Sequence, residues 1–395
     1  MRASGVALMK HREPIYGLDL IRFLAAMAVL GWHVAYRFFD PRAGHIRIFV
    51  EGVPTGEGPL HAFTQWGWIG VQVFFVISGL VISYSAEGTS ARRFLLGRFG
   101  RLFPGVLVCA ALIVSIDALF WHQSLAMLAK ALAKTLLFWP LGGWLVPQFW
   151  TLPVEIAFYT AVWAFVAAGA TNRLDGLALA LVGLSAAHSA LVALGMGQIH
   201  GQLANILLLK DGMYFAMGIC LCSIDRKGWS PTRLLVIVGG IVLAAFEIPQ
   251  SMHPYGVYSA AAPHAWIWPF VIWLTAVAFI TLSLGWRSEI ARVVRAARIG
   301  GLLRTIGLAT YPLYLTHIHV AGLAITLALA VGIGLMPALA LGAVLCVLAS
   351  ALIAVLIEPQ VRRLVLLPFG GAARARPNEV RPALPGLGEF STEQA

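Results

Sequence analysis

Residues 17–39 read GLDLIRFLAAMAVLGWHVAYRFF. The run is long and apolar enough to cross a bilayer as a helix, yet it carries Asp19, Arg22 and His33. An ionisable side chain inside a spanning helix costs roughly 2.5–3.5 kcal/mol on insertion scales, so each such group calls for a function or a partner. From Arg22 to His33 the helix turns back to within ~20° of the same face and rises ~16 Å. One face therefore carries a fixed cation near one membrane surface and an imidazole near mid-membrane. The plain alternative is an arginine snorkelling to the interface and a histidine satisfied by packing.

The remainder of the chain supplies a membrane setting for that face. It has 395 residues, 59% hydrophobic and 11% charged, with mean hydropathy +0.83. A soluble domain carries about 25% charged residues. Only helices and closed barrels satisfy their backbone groups in lipid. The apolar runs here are near helix-spanning length without dyad alternation, so helices are expected. The fold class expected is an all-α polytopic membrane protein of about ten transmembrane helices. They fall at about 15–39, 65–86, 104–122, 148–168, 176–196, 203–223, 233–249, 264–285, 305–327 and 337–357. The stretch 40–64 reads as a polar loop and 123–147 as an amphipathic helix at the outer interface followed by a turn. Residues 286–304 read as a basic helix lying on anionic lipid. A basic tail (1–14), a membrane domain (15–363) and a disordered tail (364–395) make up the domain plan. The first span contains Arg22 and is too long for a cleaved signal peptide, so it is expected to stay as a membrane helix.

The net charge of +11 bears on topology rather than on nucleic acid. With ten spans, 21 of the 28 Lys and Arg fall on the side that holds both termini. Cytoplasmic segments collect such residues, so both termini are expected in the cytoplasm. Cys109, Cys220, Cys222 and Cys346 all fall inside spans and read as packing residues. No metal-ligand spacing, phosphate loop or HExxH is present, and no metal site is expected.

Three further segments carry chemistry. Arg98 and Arg101 share a helix face just before Pro104 and suit phosphate or pyrophosphate, although a basic membrane anchor looks the same. The segment FWTLPVE (149–155) puts Glu155 one turn into an apolar helix. There it is either the partner that orients a histidine such as His33 or a group favoured by the helix dipole. The segment TYPLYLTHIH (310–319) aligns Tyr311, Tyr314 and His317 on one face of a span, which must then face protein or water. His319 points elsewhere and reads as incidental.

Taken in order, these segments resemble the acyltransferase-3 family of integral membrane O-acyltransferases. The resemblance rests on Arg22 and His33 within GLDLIRFLAA…WH, FFVISGLVIS (74–83), Arg98 and Arg101 before Pro104, FWTLPVE, TYPLYLTH, and Glu358-Pro359 with Arg362. It covers residues 17 to about 363; Leu80 and Thr310 are mild departures. The resemblance implies transfer of an acyl group, with acetyl expected, from cytoplasmic acyl-CoA to a hydroxyl of a cell-surface glycan or glycolipid precursor. The acceptor is often modified at the outer face of a bacterial inner membrane. It implies His33 as general base, with Glu155 or another carboxylate holding its tautomer. Arg22, Arg98 and Arg101 would then bind the CoA phosphates, and Arg22 could also help to place the thioester. Trp150, Tyr314 and His317 would line the cavity. Acyl-CoA is expected as co-substrate, with no permanently bound cofactor, and the bilayer as partner. A family variant with an extra extracytoplasmic domain is not expected, since few residues follow the last span. The competing class is a proton-coupled transporter of a glycan or small organic ion, with His33, Glu155, Asp211 and Lys210 as its relay.

Overall fold

The computed structural model describes residues 14–196, 199, 201–252 and 264–369. The basic residues of the N-terminal tail, Arg2, Lys10 and Arg12, the segment between the spans expected at 233–249 and 264–285 that holds His253, Pro254 and Tyr255, and the tail beyond residue 369 lie outside the described residues. Among the described residues every regular element is helical. The first helix, α1 (Tyr16–Trp32), runs on into a π-turn at His33–Arg37. Two short helices follow, α2 (Gly44–Arg47) and α3 (His61–Thr64), then α4 (Gly70–Ala86) and α5 (Ala91–Leu119). Next come α6 (Leu125–Leu136), a tight turn at Pro147–Trp150, α7 (Thr151–Ala167) and α8 (Leu174–Ala193). The middle of the chain is α9 (Gly201–Ile206), α10 (Gly212–Lys227), α11 (Pro231–Met252), α12 (Ile267–Gly285) and α13 (Arg287–Ala296). The last part is α14 (Gly300–Ala330), α15 (Leu335–Leu352), a second π-turn at Ile353–Ile357, and α16 (Glu358–Leu366).

Nine helical stretches of the described residues are long and apolar enough to cross a membrane. The tenth span, expected at 203–223, is instead broken. The short α9 ends, the chain turns through residues 207–211 with Leu208 at φ 57°, and α10 continues for 16 residues. Residues 212–223 of α10 are buried without interruption. A helix surrounded by protein needs no lipid-matching length, because its neighbours rather than lipid solvate it. Its closest neighbour is α4, and Gly79 and Gly218 meet at the crossing. A Cβ on Gly79 would strike the Phe215 carbonyl, and one on Gly218 would strike the Val76 carbonyl. Small residues at such crossings let backbones approach in a membrane, where packing rather than water exclusion drives association.

Three local expectations are corrected. The stretch 40–64 is not simply a polar loop but part of an ordered cap with its own core. Phe38, Phe39, Ala43, Ile46, Phe49, Val50 and Val53 are buried against α14 and α15. Gly, Pro and charged residues interrupt these apolar side chains, so no period betrays them. Their backbone is held by Asp40 paired to Arg37 (2.6 Å) and Arg42 (2.9 Å), and by Arg47 donating to the Phe38 and Val53 carbonyls. Second, α5 begins at Ala91, so Arg92, Arg93, Arg98, Arg101 and Pro104 share one continuous helix with the span. The Ser90 hydroxyl caps it by accepting from the Arg93 amide at 3.3 Å. Third, the last span, expected to end at about residue 357, runs on through a π-turn into α16, and Pro359 sits in the first turn of α16, where its missing N–H costs nothing.

Candidate functional site

His33 stands where α1 gives way to its π-turn, and the Phe38 amide reaches back to the His33 carbonyl at 2.9 Å. Such single-turn bulges recur at functional sites because they re-aim one side chain. Parallel to α1 runs α14, and Gly307 lets it approach so closely that a Cβ there would lie 2.6 Å from Asp19 Oδ1. That approach brings His317 to His33, with His317 Nε2 at 3.0 Å from His33 Nδ1 and the ring centroids 4.7 Å apart. Both rings are buried, at 6% and 1% exposure.

The hydrogen-bond network fixes both tautomers. His317 Nδ1 faces two carbonyls, Tyr314 O at 2.8 Å and Leu313 O at 3.1 Å. Carbonyls only accept, so His317 carries its proton on Nδ1 and presents a bare Nε2. His33 Nδ1 then faces two acceptors, His317 Nε2 and Val29 O at 3.0 Å. His33 must be protonated on Nδ1, which leaves Nε2 with the free lone pair. Gln148, in the turn before α7, braces this pair: its Nε2 donates to Leu315 O at 3.0 Å, and its carbonyl accepts from the Tyr314 hydroxyl at 3.3 Å. Tyr314 packs edge-on against Phe74 of α4. Trp150 is half-buried on the same turn as Gln148, edge-on to Phe75.

The other pole of the site is cationic. Arg22 lies 3.8 Å from Asp19 and shares its surroundings with Arg101, Tyr159 and Glu155. Glu155 accepts from the Tyr159 hydroxyl at 2.8 Å and faces Arg101, Arg22 and Arg98. Arg98 donates to Ser85 Oγ at 3.3 Å. Arg101 lies 3.8 Å from Glu358 and over the Tyr311 ring at 5.5 Å. The structure thus gathers Arg22, Arg98, Arg101 and Glu155 at one level, and His33, His317 and Tyr314 at another. Glu155 is placed with the arginines rather than against His33; the group against His33 Nδ1 is His317. With Arg304 beside Asp19 and Arg362 beside Glu358, five arginines face the three carboxylates Asp19, Glu155 and Glu358, and guanidinium forks suit an anionic ligand such as phosphate. No group of three or more His, Cys, Asp or Glu that could hold a metal occurs among the described residues.

Two arrangements escaped the sequence. His319, read as incidental, is completely buried with Nε2 at 3.1 Å from Asp117 Oδ1, beneath the ring of Phe49. Asp117 sits two residues from the end of α5, where an acid on an apolar helix could have been matched to a histidine on another span. Lys210 pairs with Glu247 at 3.1 Å, a contact between α11 and the break before α10. The signal for that was a Lys-Asp pair and a lone Glu in two spans that must each find a partner.

The family model described as an acyltransferase domain (acyltransferase family 3) matches residues 15–357. No curated protein and no solved structure matches the chain.

Proposed function

The chain belongs to the acyltransferase-3 family, a membrane acyltransferase, and on that premise we propose that it moves an acetyl group from cytoplasmic acyl-CoA to a hydroxyl of a glycan or glycolipid precursor in a bacterial cytoplasmic membrane. The observation that carries this reading is the pair of acceptors, His317 Nε2 and Val29 O, each at 3.0 Å from His33 Nδ1. An imidazole with Nδ1–H engaged by two acceptors and a bare Nε2 is a general base held in one orientation. His33 Nε2 takes the proton of the acceptor hydroxyl as its oxygen attacks the thioester carbonyl. A C–O bond forms, the C–S bond breaks, and the CoA thiolate leaves with the proton returned by the His33 imidazolium. His317 is the positioning residue, since it accepts from His33 and touches no reacting atom.

The arginine-rich pole faces the cytoplasm in this reading, and Arg22, Arg98 and Arg101 hold the CoA phosphates. Glu155 tethers that pole through Tyr159 and balances its charge. The donor's thiol arm lies along α1, over the ~16 Å rise from Arg22 to His33. In this reading Tyr311, under Arg101, and Tyr314, beside His317, line that route, with Trp150 at its far rim. The transporter relay draws less support. His33 faces His317, Glu155 faces the arginines, and Lys210 and Asp211 face Glu247.

The test is CoA release from acetyl-CoA by the full chain in lipid nanodiscs, with polyprenyl-linked sugars as acceptors. Release should require an acceptor and fall about 10²–10⁴-fold in His33→Ala. A folded preparation that neither binds nor turns over acyl-CoA would sink the transferase reading.

A further inference from the structure

A second polar cluster lies where α8, α11 and the break between α9 and α10 meet. A cavity of about 200 Å³ opens there, lined by His188, Asn205, Lys210, Phe246, Glu247 and Gln250 among others. Glu247 is nearly buried; its Oε1 takes Lys210 Nζ at 3.1 Å and the Ser251 hydroxyl at 2.8 Å. In its lining, Asn205 Oδ1 is buried with no hydrogen-bond partner among the described residues; behind the lining, near Glu247, Asp211 Oδ2 and the Tyr214 hydroxyl are likewise buried and unpaired among them. A buried polar group left unpaired costs about 1–3 kcal/mol, so three in one neighbourhood are unusual in a structural core. The backbone is irregular at the same place, with Leu208 in the left-handed region. Irregular backbone at membrane depth is tolerated where it is buried in protein or lines a polar cavity.

The wall chemistry narrows the ligand. The lining holds one ammonium and one carboxylate, and Asp211 stands behind them, so a phosphate or other strong anion gains no net attraction. The remaining polar groups are amides, a hydroxyl and an imidazole, which offer donors and acceptors together. An uncharged polyol presents the same mixture, and the Phe246 ring suits the apolar C–H face of a sugar. The volume is below the roughly 300–1,000 Å³ of drug-sized sites, which leaves room for about one ring.

The cavity is also joined to the histidine pair. Gln202 of α9 donates to the Trp150 carbonyl at 2.9 Å, and Asn205 Nδ2 donates to Gln202 Oε1 at 3.4 Å. Trp150 is two residues from Gln148, at most ~7 Å along the chain. Gln148 in turn bonds to α14 at Leu315 and Tyr314. One short turn therefore touches both the cavity's edge and the frame of His33.

We propose that this cavity binds a sugar ring of the acceptor next to the one acylated, with Asn205, Glu247 and Gln250 taking its hydroxyls. The assignment rests on the transferase reading above. The test is saturation-transfer NMR on the full chain in nanodiscs, with maltotriose, cellotriose and chitotriose as neutral probes. At least one should bind the wild type. Asn205→Ala, Gln250→Ala and Glu247→Gln should each weaken it about tenfold, the worth of one hydrogen bond, while acyl-CoA binding is unchanged. Gln250 is exposed, so its variant guards against a mere folding defect. No binding to the wild type, or binding indifferent to all three substitutions, overturns the proposal. Sugar binding lost as expected, in a folded protein that neither binds nor turns over acyl-CoA, upholds the sugar site and overturns the transferase reading instead.

Discussion

Replacing His317 with Ala separates a base from the residue that orients it. In the wild type the His33 Nδ1 proton is shared between His317 Nε2 and Val29 O, both at 3.0 Å. The substitution removes one acceptor and keeps the other, so the tautomer survives and only the ring's orientation loosens. A hydrogen bond of this kind contributes about 0.5–1.5 kcal/mol net. At 1.36 kcal/mol per decade, kcat should fall about 2- to 13-fold. His33→Ala removes the base itself, and the expected loss is about 10²–10⁴-fold. The two ranges do not overlap. His317→Gln, whose amide oxygen can accept from His33, should recover part of the loss. The assay is kcat for CoA release at saturating acetyl-CoA and acceptor, with thermal unfolding of each variant measured beside it, because truncating a buried ring also leaves a cavity. If His317→Ala is as damaging as His33→Ala, the division of roles is wrong. If it has no effect, Val29 alone fixes the ring and His317 has no positioning role.

Other predictions follow from the cationic pole, the glycine crossing and the cap. Neutralising Arg98 and Arg101 together to Gln should raise the Kd for acyl-CoA at least tenfold and flatten its salt dependence, read by isothermal titration; unchanged affinity would remove them from the donor site. Gly218→Val should force α10 away from α4 at a cost of about 1–3 kcal/mol, seen as a lowered Tm, whereas Gly176→Ala, with nothing within 4 Å of its added Cβ, should have little effect. Burial alone would raise the Asp40 carboxyl, but hydrogen bonds from Arg42 and the Arg37 charge hold it below the ordinary value of about 3.9. A carboxyl depressed in the folded state contributes stability above its unfolded pKa and loses it as pH falls through the folded one. Proteolysis of the cap should therefore speed up on acidification below about pH 3.9. In Asp40→Asn it should be faster already at neutral pH and lack that step.

The spans and the polar face of α1 were legible because lipid imposes one length and one polarity on every segment that touches it. Arg22 and His33 could be placed on one face by helix arithmetic alone. What bundles them with other helices could not. His317 lies 284 residues from His33 in the chain, and their meeting depends on Gly307 admitting Asp19. Glu155 reads equally as the group that orients His33 or as one favoured by the helix dipole, since a carboxylate in a span must find something. The sequence did not say whether that was a histidine or, as in the structure, a tyrosine among arginines. The break at Leu208 was hidden by its own composition, because Leu207-Leu208-Leu209 reads as unbroken apolar helix. His319 was passed over because its acid, Asp117, sits on a different span.

The sixteen residues of α10 have a consequence for how the protein is made. Residues 212–223 are enclosed on every side, and the helix ends in Asp225, Arg226 and Lys227. Insertion from the translocon sorts each segment by its own partition into lipid, and a segment this short with charges at its end partitions poorly. Two of its three main neighbours, α4 and α8, are synthesised before it, and the third, α11, follows directly after it. The ribosome therefore delivers α10 to a half-groove of α4 and α8 that α11 then closes, and chain order supplies the solvent that its own sequence does not ask of the bilayer.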